Sequence, residues 1–286
     1  MTGSDFVPGN RSIVHHAIVF AIPPGAKTPH DVAYECPGGP NTAGASLVAA
    51  WAPGGVPSTL PAGVALPVDA GTKLVLQVHY HPHANASRAP DRTTFRMELS
   101  DEAPAWVMVP RLIGNFRHAA MAGIGLLAGP SDPPAGPVFA IPVNAPRHTE
   151  TMIFTVPSSL AGLPLPRMRI LGVGAHMHLA GIDQKLTLKR GAAVVGEPRE
   201  ECLLQEPSWA FDWQRMYLYD APLESLPSVG PGDSLEVRCT YDNSLANVQL
   251  KRGLVAQGRR SPTEIRLGEG TLDEMCLAAV QLVMKR

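Results

Sequence analysis

The sequence predicts an all-β protein made of two β-sandwich domains, and three observations carry that expectation. Short runs rich in β-branched and aromatic residues recur along the chain, clusters of proline and glycine bound them, and helical periodicity is weak throughout. The 27 glycines and 29 prolines are spread along the chain, so they read as frequent turns rather than a low-complexity tract. A length of 286 residues favours two domains over one, and a hydrophobic fraction of 45% is ample to fill both cores. Gly129–Pro137 (GPSDPPAGP) is the best linker by composition. It divides the chain into residues 1–134 and 135–286.

Taken in order, Ile13–Ile22 (IVHHAIVFAI) is a short apolar run between Pro8-Gly9 and Pro23-Pro24-Gly25, and reads as a buried strand. Cys36–Gly71 reads as a long Pro/Gly-rich loop region that contains Trp51. Thr72–His81 is a strong strand with Leu74, Leu76, Val78 and Tyr80 on one face and Lys73, Val75, Gln77, His79 and His81 on the other. Pro82 ends it. Thr93–Leu99 and Trp106–Ile113 complete the first half. After the linker, strands are expected at Thr151–Val156, Met168–His178, Gln184–Lys189, Met216–Tyr219, Leu235–Tyr241 and Glu274–Met284.

Charge and hydropathy narrow the partners. A charged fraction of 17% and a formal net charge of −1 give no reason to expect nucleic acid or an anionic membrane. No apolar run reaches the roughly 18–20 residues that span a bilayer; Ala119–Gly129 comes closest. The first ten residues, MTGSDFVPGN, lack the basic and apolar regions of a signal peptide. Asn10 and Asn85 each begin a glycosylation sequon, a pattern that also arises by chance.

Histidine placement is the most informative feature. Seven of the ten histidines fall in three groups: His15-His16, His79/His81/His83 and His176/His178. On an extended strand, residues i and i+2 point the same way, so His176 and His178 converge as a metal pair must. Met275 offers a thioether far downstream, and two imidazoles with a thioether favour copper over zinc or magnesium. Adjacent His15 and His16 face opposite ways unless the strand bulges there. His79 and His81 share a face, which leaves either possible as a ligand, while His83 lies beyond Pro82 and is expected in solvent.

Six segments, PGNRSIVHHAIVF, LVLQVHYHP, GAHMHLAG, FDWQ, CTYDNS and GTLDEMC, occur in an order that resembles the copper type II, ascorbate-dependent monooxygenases. That family includes peptidylglycine α-hydroxylating and dopamine β-monooxygenases, and the sequence looks most like its bacterial relatives. The resemblance implies two jelly-roll-like copper domains facing each other across a cleft, with two coppers per chain. It implies that His15, His16 and His79 hold an all-histidine copper fed by ascorbate, with His79 chosen over His81 and Gln77 close by. It further implies that His176, His178 and Met275 hold the copper where O2 meets a small-molecule substrate. A Cys239–Cys276 disulfide is implied as well, leaving Cys36 and Cys202 as thiols, and so is a periplasmic or secreted location. Asp212 and Trp213 resemble a segment near the second site, where Trp209, Phe211 and Trp213 could wall a pocket. Asp273 and Glu274 could act as a base, although turn solvation or capping is the plainer role.

The sequence also departs from that family. The peptide hydroxylases hold a substrate carboxylate through an Arg, an Asn and a Tyr where this chain has Gly174, Leu277 and Ala279. A glutamate of the catecholamine enzymes is replaced by Ala21. These changes favour a neutral or apolar small substrate. Only 14 residues precede His15, so the first domain is expected to be shortened, with exposed strand edges. The resulting expectation is a copper monooxygenase. Its rivals are a non-catalytic copper-binding homologue with one working site and, more remotely, a zinc hydrolase.

Overall fold

The computed structural model describes residues 1–30, 32–81, 86–115, 124–129, 132–160 and 162–286. His83, the Asn85 sequon position and part of the expected linker lie outside them. The chain forms two compact units, Met1–Arg111 with Val283–Arg286, and Leu112–Leu282. Both are built of strands, so the expected all-β class is what the chain adopts.

In the first unit, β1 (Gly3–Val7), β2 (Val14–Ile22), β3 (Ser46–Trp51), β4 (Lys73–Tyr80) and β5 (Thr94–Glu98) make two three-stranded sheets. β1 lies between β5 and the short strand Ser58–Thr59, and β2 lies between β3 and β4. β2 is central because its apolar residues alternate inward: Ala17 and Val19 are buried, as are Val48 and Trp51 on β3. Two of these strands depart from expectation. β3 sits inside the segment read as a Pro/Gly-rich loop, and β1 occupies the first residues. β6 (Trp106–Gly114) carries the chain onward.

The second unit contains β7 (Ile124–Leu126), β8 (His148–Thr155), β9 (Met168–His176), β10 (Gly181–Lys189), β11 (Glu200–Glu206), β12 (Met216–Leu218), β13 (Ser234–Tyr241) and, up to Leu282, β14 (Leu277–Lys285). One antiparallel sheet runs in the order β11, β10, β13, β8, β7. In a second sheet β9 lies between β12 and β14. Ile170 and Leu171 of β9, Leu186 and Leu188 of β10, and Leu235 and Val237 of β13 are among the buried residues that fill this core. A helix, α1 (Val248–Ala256), was not expected. Asn247 caps it by accepting from the backbone N–H groups of Gln249 and Leu250, a contribution of about 1 kcal/mol.

One cation of this unit is fully buried. Arg190 has no exposed side-chain surface and is met by Glu197, by Glu201 at 2.8 Å and by the Pro198 carbonyl. Such a buried cation is tolerable only because carboxylates face it. Among the described residues no helix is long and apolar enough to cross a membrane.

Candidate metal centre

The condition that His15 and His16 needed is met. Along the β2–β4 pairing, Val14 lies opposite Tyr80 and His16 opposite His79, so the register shifts across His15. This bulge gives one residue of β4 two neighbours on β2 and turns consecutive side chains toward one side. His15 Nδ1 lies 3.1 Å from His16 Nδ1. The ring of His79 sits 4.8 Å from each of the other two rings, centroid to centroid.

The three residues each offer a ring nitrogen, and those atoms lie within 4.8 Å of one another. Imidazole nitrogens bind first-row metals at about 2.0–2.1 Å, so two of them on one ion stand at most about 4.2 Å apart, and the set closes on one ion with side-chain movements of about 1 Å. The donor chemistry also fits copper, since three imidazoles and no carboxylate suit a metal that cycles between two oxidation states. His81 stands farther off, with its ring 6.4 Å from that of His15 and its backbone N–H donating to the Ile13 carbonyl at 2.6 Å. Gln77 faces Ile18 on the same two strands and donates Nε2–H to the Cys36 carbonyl at 2.6 Å. It therefore ties the 36 region to the strand that carries His79.

At the second cluster one local expectation is corrected. Strand β9 ends at His176, so His178 lies in the turn to β10 rather than on an extended strand. The chain turns there because Met177 is fully buried and packs against Gly181, where a Cβ would meet Met177 and Trp209 atoms at 2.9 Å. The two rings still converge, 5.3 Å apart and nearly perpendicular.

Hydrogen bonds fix which nitrogen each ring presents. His178 Nδ1 lies 3.0 Å from the Asp273 carbonyl, which can only accept, so Nδ1 carries the proton. His176 Nδ1 lies 2.6 Å from Gln214 Oε1, and Gln214 donates its own Nε2–H to the Phe211 carbonyl at 2.8 Å. That second bond orients the amide with its oxygen toward His176, so Nδ1 carries the proton there too. Both histidines are thus left with an Nε2 lone pair, as ligation requires. Packing around the His176 ring also lowers its pKa, despite the bond to Gln214, which keeps it neutral and able to donate a lone pair.

Met275 belongs to a segment held against His178. Glu274 is wholly buried, and its carboxylate accepts the backbone N–H of His178 at 2.8 Å, of Ala180 at 2.7 Å and of Met275 at 3.2 Å. Burial pushes this carboxyl up to about 8, while the same N–H groups pull the other way. With its oxygens turned onto the backbone, Glu274 fits the capping role and not that of a base. Tyr241 donates its hydroxyl to the Met275 carbonyl at 2.8 Å. Cys276 forms the disulfide with Cys239, Cα atoms 5.8 Å apart, and its N–H donates to Asn115 Oδ1 at 2.6 Å. Residue 275 is therefore pinned on both sides.

The aromatic segment does not form one wall. Trp209 is buried and donates Nε1–H to the His178 carbonyl at 3.0 Å, whereas Trp213 is half exposed beneath Arg215, whose guanidinium carbon lies 3.7 Å from the ring centroid. Gln214, next after Trp213, is the contact of His176 that the sequence did not reveal; it stands in the FDWQ segment as its last letter. Gly174 faces β12, where a Cβ would lie 2.8 Å from Met216 Sδ and 2.9 Å from the Arg215 carbonyl. No longer side chain fits there without moving β12.

These features define an all-β protein with a three-imidazole metal cradle, a class to which several kinds of copper and zinc protein could belong. Residues 3–87 match the family described as copper type II ascorbate-dependent monooxygenase, N-terminal domain, which supports the resemblance for this part of the chain. The match contains β2 and β4 whole, and with them His15, His16 and His79. No curated protein matches the chain.

Proposed function

We propose that the chain is a copper-dependent monooxygenase that hydroxylates a C–H bond of a small organic substrate with O2 and an external reductant such as ascorbate. The observation that carries this reading is the bulge that brings His15, His16 and His79 together inside a domain of a copper-dependent family.

In this reading residues 1–134 supply the all-histidine site, and residues 135–286 supply a second site from His176, His178 and Met275. Copper at the second site would provide O2 activation, with the thioether favouring the reduced ion. The chain's own residues do the rest. Gln214 and the Asp273 carbonyl hold the two imidazoles with Nε2 outward, and Gln77 steadies the strand of His79. One oxygen atom enters the C–H bond and the other leaves as water, with two electrons drawn from the reductant. The crowding at Gly174 agrees with a neutral or apolar substrate, because an arginine cannot reach a carboxylate from that position. The Cys239–Cys276 bridge fits an oxidising compartment, periplasmic or extracellular.

The test is metal analysis of copper-loaded protein with oxygen uptake in the presence of ascorbate. Two coppers per chain and reductant-dependent uptake are expected. One copper without uptake would leave a copper-binding protein and overturn the enzyme.

A further inference from the structure

We propose that Glu274 is a positioning residue that sets the reduced-copper affinity of the second site by fixing the Met275 backbone against that of His178. This rests on the reading of His176, His178 and Met275 as ligands. The geometry behind it is unusual for a carboxylate. Glu274 has no solvent exposure, and among the described residues its side-chain oxygens bond backbone N–H groups and no side chain. Those donors come from two stretches almost a hundred residues apart in sequence. Oε2 takes the N–H groups of His178 and Met275, one from each expected ligand, and Oε1 takes that of Ala180.

The backbone on either side is held too. Glu274 N–H donates to the Arg266 carbonyl at 3.0 Å, and the Asp273 carbonyl accepts from His178 Nδ1 at 3.0 Å. Glu274 therefore ties the backbone of the thioether-bearing residue directly to that of the second imidazole. A purely apolar joint could not do this, because dispersion contacts are non-directional and each is worth little, whereas hydrogen bonds from N–H groups are directional.

Gln is the informative substitution. Glu274→Gln keeps the volume but presents an NH2 group to N–H donors, so one side of the joint opens. A thioether contributes to Cu(I) binding far more than to Cu(II) binding. Misplacing Met275 therefore weakens Cu(I) selectively, and a general loss of structure does not.

The experiment measures Cu(I) and Cu(II) affinities by chelator competition on the full chain carrying His15→Ala, His16→Ala and His79→Ala together, which removes every imidazole of the first site. Glu274→Gln is expected to lower Cu(I) affinity about 10–100-fold, the range for losing a partner of a ligand, with a much smaller change for Cu(II). Asn243→Ala serves as the destabilised control. It removes a buried amide that donates to the carbonyls of Ile141, Pro142 and Thr263, and is expected to lower thermal stability while leaving both affinities alone. If Glu274→Gln does not fold, Glu274→Asp is measured instead, with the carboxyl group kept and the reach shortened. Equal losses for the two oxidation states, or none, would overturn the positioning role. A Met275→Leu variant that keeps the parental Cu(I) affinity would instead overturn the ligand reading.

Discussion

The two histidine clusters are assembled by different means. The first is made by backbone register: a bulge at His15 and the pairing of His16 with His79 bring three rings together on two neighbouring strands. The second is made by side chains that reach across the sequence. Gln214 holds His176, the Asp273 carbonyl holds His178, and Glu274 with the Cys239–Cys276 disulfide holds the segment of Met275. A site set by register loses little when one outlying side chain changes. A site set by a network of single bonds should respond to each of them.

The contrast is broken most severely by removing Met275. Met275→Leu should abolish ascorbate-dependent oxygen uptake while the first copper remains, and Met275→His should not restore it. Metal analysis beside an oxygen electrode checks both. Next comes the disulfide. Replacing Cys239 and Cys276 by serine should cost about 2–5 kcal/mol of stability, read as a lower thermal midpoint, and should weaken the second site before the first. Gln214→Leu leaves His176 without its orienting acceptor and should reduce copper affinity at that site about 10–100-fold, as chelator competition would show. At the first cluster, His16→Ala should lose the metal, whereas His81→Ala should bind nearly as well as the parent, since its ring stands outside the group.

The smallest effect is a control on the scaffold. Burial works against ionisation of Glu197, yet bonds from Ser228 and the charges of Arg190 and Arg169 prevail and hold its carboxyl below the ordinary value of 4.5. Its stabilisation is therefore complete above about pH 4.5 and fades as pH falls through the lower folded value. Glu197→Gln should flatten that part of a stability–pH curve and leave both copper affinities unchanged.

What could be read from the sequence follows the same division. The strands around His15, His79 and His176 were legible because β-branched runs ended at prolines and glycines. The HH pair stated its own requirement, a bulge, and the register supplies it. Strand Ser46–Trp51 was hidden because prolines and glycines surround a run of only six residues. The helix Val248–Ala256 was obscured by Gly253, which lies against the Leu179 side chain. The contact of Gln214 was not legible, and for Glu274 a capping role was legible but its partners were not. Their partners lie 38 and about 95 residues away, and no local pattern marks an amide or carboxylate that bonds at such distances.

The most direct measurement is the copper X-ray absorption spectrum of the fully loaded, reduced protein, compared with that of Met275→Leu. The account predicts a sulfur scatterer at bonding distance in the parent that disappears in the variant, with the imidazole signal retained in both. A reduced parent protein showing nitrogen donors alone would contradict it.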